Sequence, residues 1–275
     1  MSIFGGNQPG QQGGGRSPSR RNVGGGILIA LFLAGFALCK YYSSSQFNEI
    51  TGETQHISIS AEQEVALGVN SLPAMLEQYG GLHPDAEAQK LVKSIGQRIV
   101  QNSDARQTPY QYDFHLLADP NVVNAFALPG GQVFITTALI SQFETEDEVA
   151  GVLGHEIGHV VARHGAERIA KQELTEGLTG AAVVASGDYN TAQAAQMIAG
   201  LVNMSYGRDQ ELESDDLGVR FMSQAGYDPE ALITVMDILE KASGGQRQPE
   251  FMSTHPSPEN RVQKIREAIA KYKKQ

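Results

Sequence analysis

The order of apolar and polar residues divides this chain into stretches of different period. Residues 1–22 are mostly Gly, Gln, Ser, Pro and Arg, a composition that predicts a disordered tail. Residues 23–39 follow as 17 positions without a charge, the low end of what crosses a bilayer. Helical spacing begins after Ser60. Ser60-Ala61-Glu62-Gln63 has the form of a capping box, and Val65, Ala66, Val69, Leu72 and Leu76 predict an apolar stripe that Pro73 should kink or interrupt. Leu91, Ile95, Ile99 and Val100 keep the same spacing in a second helix, from Asp85 to about Asn102. The period then changes to two. Tyr112, Phe114 and Leu116 alternate with Gln111, Asp113 and His115, which predicts a half-buried strand with His115 as a structural side chain on its other face. Asn124-Ala125-Phe126-Ala127-Leu128 and residues 132–136 read as two more strands, joined through Pro129-Gly130-Gly131. Thr145-Glu146-Asp147-Glu148 is a second capping box. It opens a helix, expected to reach about His164, in which Val149, Ala150, Val152, Leu153, Ile157, Val160 and Val161 are apolar nearly all round. That is the pattern of a buried core helix. Residues 177–205 are rich in Ala and Gly, with Gly187-Asp188-Tyr189-Asn190 as a break; the apolar part, 178–185, is too short to span a membrane. Ser257-Pro258 is expected to cap and open a last helix.

The fold class this predicts is α+β, mainly α, with a small antiparallel sheet beside the buried helix and one transmembrane helix in front. The expected divisions are a tail (1–22), a span (23–39), a linker and approach segment (40–59) and one domain (60–275). An open sheet edge at Asn124, Ala125, Phe126 and Ala127 could take up an extended peptide through main-chain hydrogen bonds. The Gly pair also suits a plain tight hairpin.

Charge sharpens this picture. The net charge is −10, yet residues 1–39 carry Arg16, Arg20 and Arg21 and no acid. The body is therefore acidic, which argues against nucleic acid as a partner. A cleaved signal peptide would have a shorter apolar core and a small-residue cleavage site, and a lipoprotein signal would set a small residue before Cys39, where Leu38 stands. An uncleaved signal anchor fits best. Arginines ahead of the span place the N-terminus in the cytoplasm and the body outside it, periplasmic in a Gram-negative host. Cys39 is the only cysteine, which excludes an intrachain disulfide and a cysteine-based zinc site.

The chemistry lies in His155-Glu156-Ile157-Gly158-His159. On a helix, residues i and i+4 share a face, so both imidazoles can hold one metal ion. Glu156 can reach a water there without being a ligand. Two buried histidines satisfied by hydrogen bonds are the plainer alternative, but a Glu and two His in so apolar a helix are costly unless paired or metal-bound. Catalytic zinc usually takes three protein ligands and leaves room for water. Glu211 and Asp215 stand i, i+4 in a second acidic stretch, so Glu211 is the favoured third ligand by spacing, with Glu213 and Asp215 as rivals. Asp215 suits an outer position, accepting a hydrogen bond from a ligand imidazole. His164, five residues past His159, would lie about 140° further round a continuous helix, a poor place for a ligand.

These segments resemble the HtpX / CAAX-prenyl-protease-like family of zinc metallopeptidases, in the branch of periplasmic and mitochondrial quality-control proteases. The matching pieces are Asn124-Ala125-Phe126-Ala127 with Pro129-Gly130-Gly131, Gly154 through His159, Arg208 through Asp215, Gly226-Tyr227-Asp228-Pro229, and Ser253-Thr254-His255-Pro256 with Arg261. They cover roughly residues 60–270 in the family's order. Gly207 and Ser214 depart from the residues the family commonly has there. The resemblance implies a zincin-like domain with one zinc per chain, held by His155, His159 and Glu211, with Glu156 as catalytic base and Asp215 behind a ligand. Tyr206 and His255 are candidate oxyanion donors. A loop histidine is ordinarily a surface residue, but the resemblance sets His255 beside the active site, as a donor or as a fourth ligand that shuts out water. The implied function is a membrane-anchored endopeptidase acting on unfolded or misassembled envelope proteins. Two alternatives are a tethered chaperone or adaptor with minor peptidase activity, and a zinc hydrolase of a non-peptide amide.

Overall fold

The computed structural model describes residues 23–186, 206–243, 249–257 and 259–273. The tail at 1–22, the break at 187–190, Pro258 and the glycines after Ser243 lie outside them. The molecule is built around α5 (Glu146–Val161), in which every residue from 148 to 161 is buried. Thr145 caps it through the expected box: its side chain accepts from the Glu148 amide, and Glu148 accepts from the Thr145 amide. Around α5 pack α3 (Ala86–Gln101), α7 (Arg208–Ala225), α8 (Ala231–Ser243) and the sheet.

Missing side chains permit the closest of these contacts. A Cβ on Gly158 would lie 2.8 Å from the Ser214 carbonyl oxygen, and one on Gly218 would lie 3.1 Å from the His155 amide nitrogen. The α5 and α7 backbones therefore nearly touch where they cross. This sets the 155/159 face of one helix directly against the 211/215 face of the other.

The sheet has the order β3 (Asp113–Leu117), β5 (Gln132–Thr136), β4 (Ala125–Leu128). The hairpin at Pro129-Gly130-Gly131 is as expected, with φ of +83° at Gly130 and +104° at Gly131, where a side chain would be strained. The sheet is mixed, however, rather than wholly antiparallel. β5 returns between its two partners, antiparallel to β4 and parallel to β3. β3 is buried from Phe114 to Leu117, not half-buried. Both its faces are covered: the Phe114 ring fills the space left by Gly96 of α3, and Leu117 packs with Phe134, Leu72 and Leu76 under α2 (Ala61–Gln78). His115 bonds Gln132 and stacks on Phe134, a structural role as read from the sequence. β4 occupies the sheet edge, and no further strand pairs with it among the described residues.

α2 runs unbroken through Pro73. Its fully buried residues are Glu64 and Gly68, while Ala66 and Val69 of the expected stripe are exposed. The reason is electrostatic. Glu64 sits under Arg163 and accepts from both it and Tyr110, so a charge rather than an apolar side chain faces inward.

Arg163, at φ 53°, also ends α5 earlier than expected. The helix stops at Val161, and α6 (His164–Ser186) starts after a tight turn. The last carbonyls of α5 are taken by residues just after α1 (Val23–Ser43). In the β1–β2 hairpin (Ser45–Phe47 and Thr54–His56), Asn48 Nδ2 donates to the Val161 carbonyl at 2.8 Å, and Gln55 Nε2 donates to that of Ala162. At the far end, α9 (Glu250–Thr254) is followed by α10 (Arg261–Tyr272), which has Asn260 at its cap position in place of the expected Ser257.

Candidate metal centre

α5 presents His155 and His159, α7 presents Glu211, and His255 comes from the end of α9. All four are buried, and their ligand atoms lie within 4.8 Å of one another. His155 Nε2 is 3.1 Å from His159 Nε2, 3.3 Å from His255 Nδ1 and 3.5 Å from Glu211 Oε2. Glu211 Oε1 is 3.4 Å from His159 Nε2 and 3.0 Å from His255 Nδ1. Ligands held at the usual zinc distances stand roughly 3.3–3.6 Å apart along the edges of a tetrahedron. The donor set has nearly that spacing.

The hydrogen-bond sense of the cluster also fits a cation. Asp215 Oδ1 lies 2.9 Å from His155 Nδ1 and accepts its proton, which leaves a lone pair on His155 Nε2. His164 Nε2 donates to Glu213 at 3.1 Å, so its Nδ1 is free to accept from His159 Nδ1 at 2.8 Å. That leaves a lone pair on His159 Nε2 too. Two lone pairs and a carboxylate thus converge on one buried point, an arrangement that needs a positive ion. These residues fit zinc, with His and carboxylate donors and no sulfur.

Glu156 borders this point. Both its oxygens are buried without a hydrogen-bond partner, as is His255 Nε2, which lies 3.6 Å from Glu156 Oε1. Burial pushes the Glu156 carboxyl above the usual range, toward the pH at which a general base works best. Tyr206 stacks on His159 with centroids 4.0 Å apart, and burial raises its hydroxyl to about 12. His255, read from the sequence as a loop residue, closes a helical turn instead. Its amide donates to Phe251 and its ring stacks on the Phe251 ring at 4.4 Å.

Three residues here escape sequence reasoning. Arg261 is buried, donates to Asp215 at 2.7 and 2.9 Å, and lies 3.3 Å from Glu211 Oε2. Burial would push Asp215 up, but Arg261, and then His155, hold it below the usual carboxylate range. The signal was the position of Arg261 in the last motif segment, without a stated task. His164 and Glu213 are the other two. The turn at Arg163 swings His164 back onto His159, which no helical projection of residue 164 could foresee. His164→Phe keeps a ring of similar size and removes the acceptor. It is expected to weaken zinc about 10–100-fold, read by chelator competition, with the melting temperature of the zinc-free protein unchanged. Unaltered zinc affinity would reduce His164 to packing.

Of the substrate-edge candidates, Ala125, Phe126 and Ala127 lie in β4, whereas Asn124 precedes it. Its side-chain amide is buried and donates to Glu250 and the Tyr79 hydroxyl, tying the sheet to the helix that carries His255.

The peptidase family M48 model matches residues 86–269. The mitochondrial metalloendopeptidase OMA1 of Schizosaccharomyces pombe is 30% identical over 82% of this chain and 67% of its own length. The beta-barrel assembly-enhancing protease of Escherichia coli K12 is 29% identical over 86% of this chain and 50% of its own length. OMA1 of Arabidopsis thaliana is 37% identical over 56% of this chain and 31% of its own. The chain thus spans from 31% to 67% of the length of these relatives. With the family model covering the sheet, α5, α7 and α10, and with buried donors that suit the ion, the chain belongs to peptidase family M48 and is a zinc metallopeptidase.

Proposed function

We propose that this is a membrane-anchored endopeptidase that cleaves unfolded or misassembled envelope proteins. The observation that carries the reading is the convergence of His155, His159 and Glu211 beside an unpartnered Glu156, next to the open β4 edge. In this reading His155, His159 and Glu211 hold the zinc, and Asp215 and His164 fix the two imidazoles. Bound there, zinc supplies Lewis acidity and an activated water. Glu156 takes the proton of the attacking water and passes it to the leaving amine. The oxygen that gains charge on the scissile carbonyl receives a hydrogen bond from Tyr206 or His255. The substrate lies antiparallel to β4, main chain to main chain. Beside that edge runs a groove of about 320 Å³ lined by Leu67, Ala127, Leu128, Ile169 and Tyr206, with room for an apolar side chain. A free strand edge favours polypeptides over small amides as substrates.

The name of the E. coli relative ties that protein to β-barrel assembly, which supports envelope substrates for this chain. α1 is long and apolar enough to cross a membrane. With arginines ahead of it, this supports a single-pass inner-membrane protein with a cytoplasmic N-terminus and a periplasmic body. Residues 60–275 form the peptidase domain in this reading.

His255 Nδ1 sits among the ligand atoms of the other three residues. This supports a resting state in which His255 fills the fourth position, and it also suits a tethered chaperone that binds chains without cutting them. Degradation of casein by the full chain in detergent separates the two. Cleavage that stops with chelator and returns with zinc is expected, and His255→Ala should raise the basal rate. A fall of about a hundredfold in kcat in that variant would make His255 the oxyanion donor instead. Suppressed aggregation of casein without any cut product would favour the chaperone.

A further inference from the structure

We infer that the second half of α6 is itself embedded in the bilayer, lying against α1 as a helix that enters the membrane without crossing it. This rests on α1 being the membrane anchor. The two helices run antiparallel along nearly the whole apolar length of α1. Lys40 pairs with Glu173 at 2.8 Å. Further along, a Cβ on Gly177 would lie 2.7 Å from Ala37 Cβ, and at the far end one on Gly26 would lie 3.4 Å from the Val184 carbonyl oxygen. Ala30, Ala37 and Ala181 are buried in the crossing. Whatever surrounds residues 26–40 of α1 therefore also surrounds residues 173–184 of α6.

The surfaces facing outward from this pair are apolar. On α1 they are Leu28, Ile29, Leu31, Phe32 and Phe36, exposed by 55–72%. On α6, Leu178 and Val184 are exposed by 37% and 40%, and no residue from 177 to 186 carries a charge. The last charges before this stretch are Glu173, already neutralised by Lys40, and Glu176. The Lys40–Glu173 pair and Glu176, one turn on, lie in the interfacial layer, since charges at a helix end are tolerated there and not deeper. From Glu173 to Val184, α6 descends about 16 Å at the helical rise, roughly half of the ~30 Å hydrocarbon core. The small residues at the crossing suit association in lipid, where close backbone contact takes over from the hydrophobic effect. The other end of α6 is His164, in contact with His159. The nine residue steps from His164 to Glu173 put the metal site about 14 Å from the membrane surface. The polypeptides it reaches are thus those lying at the bilayer.

The chain contains no tryptophan, so a single introduced one reports alone. Val184→Trp, with Leu178→Trp as a second position, is placed in the full chain in phosphatidylcholine vesicles with or without lipid brominated deep in its acyl chains. Phe32→Trp on α1 and Lys171→Trp above the ion pair serve as references. Blue-shifted emission from Val184→Trp or Leu178→Trp, quenched about as strongly as from Phe32→Trp while Lys171→Trp is spared, is the expected result. Quenching of Phe32→Trp alone overturns the inference and leaves the anchor standing. Blue-shifted but unquenched emission at 184 and 178 also overturns it, because a second copy or another protein then covers α6. If Phe32→Trp is not quenched either, the anchor reading fails and the inference fails with it.

Discussion

Glu156→Gln is expected to keep its zinc and lose its proteolysis. The side chain is fully buried and neither oxygen has a hydrogen-bond partner. It is held by packing alone, at the mouth of the donor cluster and 3.6 Å from His255. The amide has nearly the same shape but cannot accept and return a proton. General-base catalysis is worth about 10²–10⁴ in rate, so casein cleavage should fall by roughly three orders of magnitude. Zinc should remain near one per chain, because the ligand atoms are untouched. The melting temperature should not fall, since a neutral amide is easier to bury than a carboxylate without a partner. Cleavage within a few-fold of wild type would sink the base assignment. Full complementation of a deletion strain by this inactive protein would shift the reading to a chaperone.

Glu211→Ala should lose zinc and stability together. Glu211 faces His155, His159 and His255, with Arg261 behind it. Its removal deletes the only carboxylate of the donor set and leaves imidazole nitrogens facing the Arg261 charge, which hold a cation poorly. Ligand binding at a hundredfold excess over Kd adds about 2.7 kcal/mol to stability. For a domain of this size that is roughly 5–10 °C in Tm, and the variant should forfeit it. Arg261 also loses one of its two carboxylates, so the variant should melt somewhat below chelated wild type. Glu213→Ala removes only the acceptor of His164 and should retain near-stoichiometric zinc. Stoichiometric zinc in Glu211→Ala with loss in Glu213→Ala would overturn the ligand assignment.

The sequence was most informative where one interaction decides the structure. A side chain four residues from another on an apolar helix can meet it in only one way, so His155 and His159 were legible from spacing. Capping boxes at Ser60 and Thr145 were legible for the same reason, since each closes within four residues. What stayed hidden depends on contacts distant in sequence. Spacing alone left Glu211, Glu213 and Asp215 as rivals. The crossing at Gly158 and Ser214 separates them, turning Glu211 and Asp215 toward α5 and Glu213 toward His164. The parallel β3–β5 pairing was hidden because alternation reports which face is buried, not strand direction or neighbour. His164 is not among the donors, as expected, but its contact with His159 stayed hidden because one residue, Arg163, takes a left-handed conformation and ends the helix. The conformation is supported by partners 99 and 117 residues away, in Glu64 and Gln46.

The hairpin at residues 45–56 has a practical bearing on how the chain can be trimmed. Asn48 and Gln55 take the final carbonyls of the helix that carries both histidines, and Gln46 steadies the arginine at its end. A fragment begun at Ser60 strips these away and leaves the frayed end of α5 two residues beyond His159. A fragment begun at Ser44 keeps the whole clasp without the apolar α1. The shortest fragment expected to keep this clasp therefore starts in the stretch that composition marks as a linker.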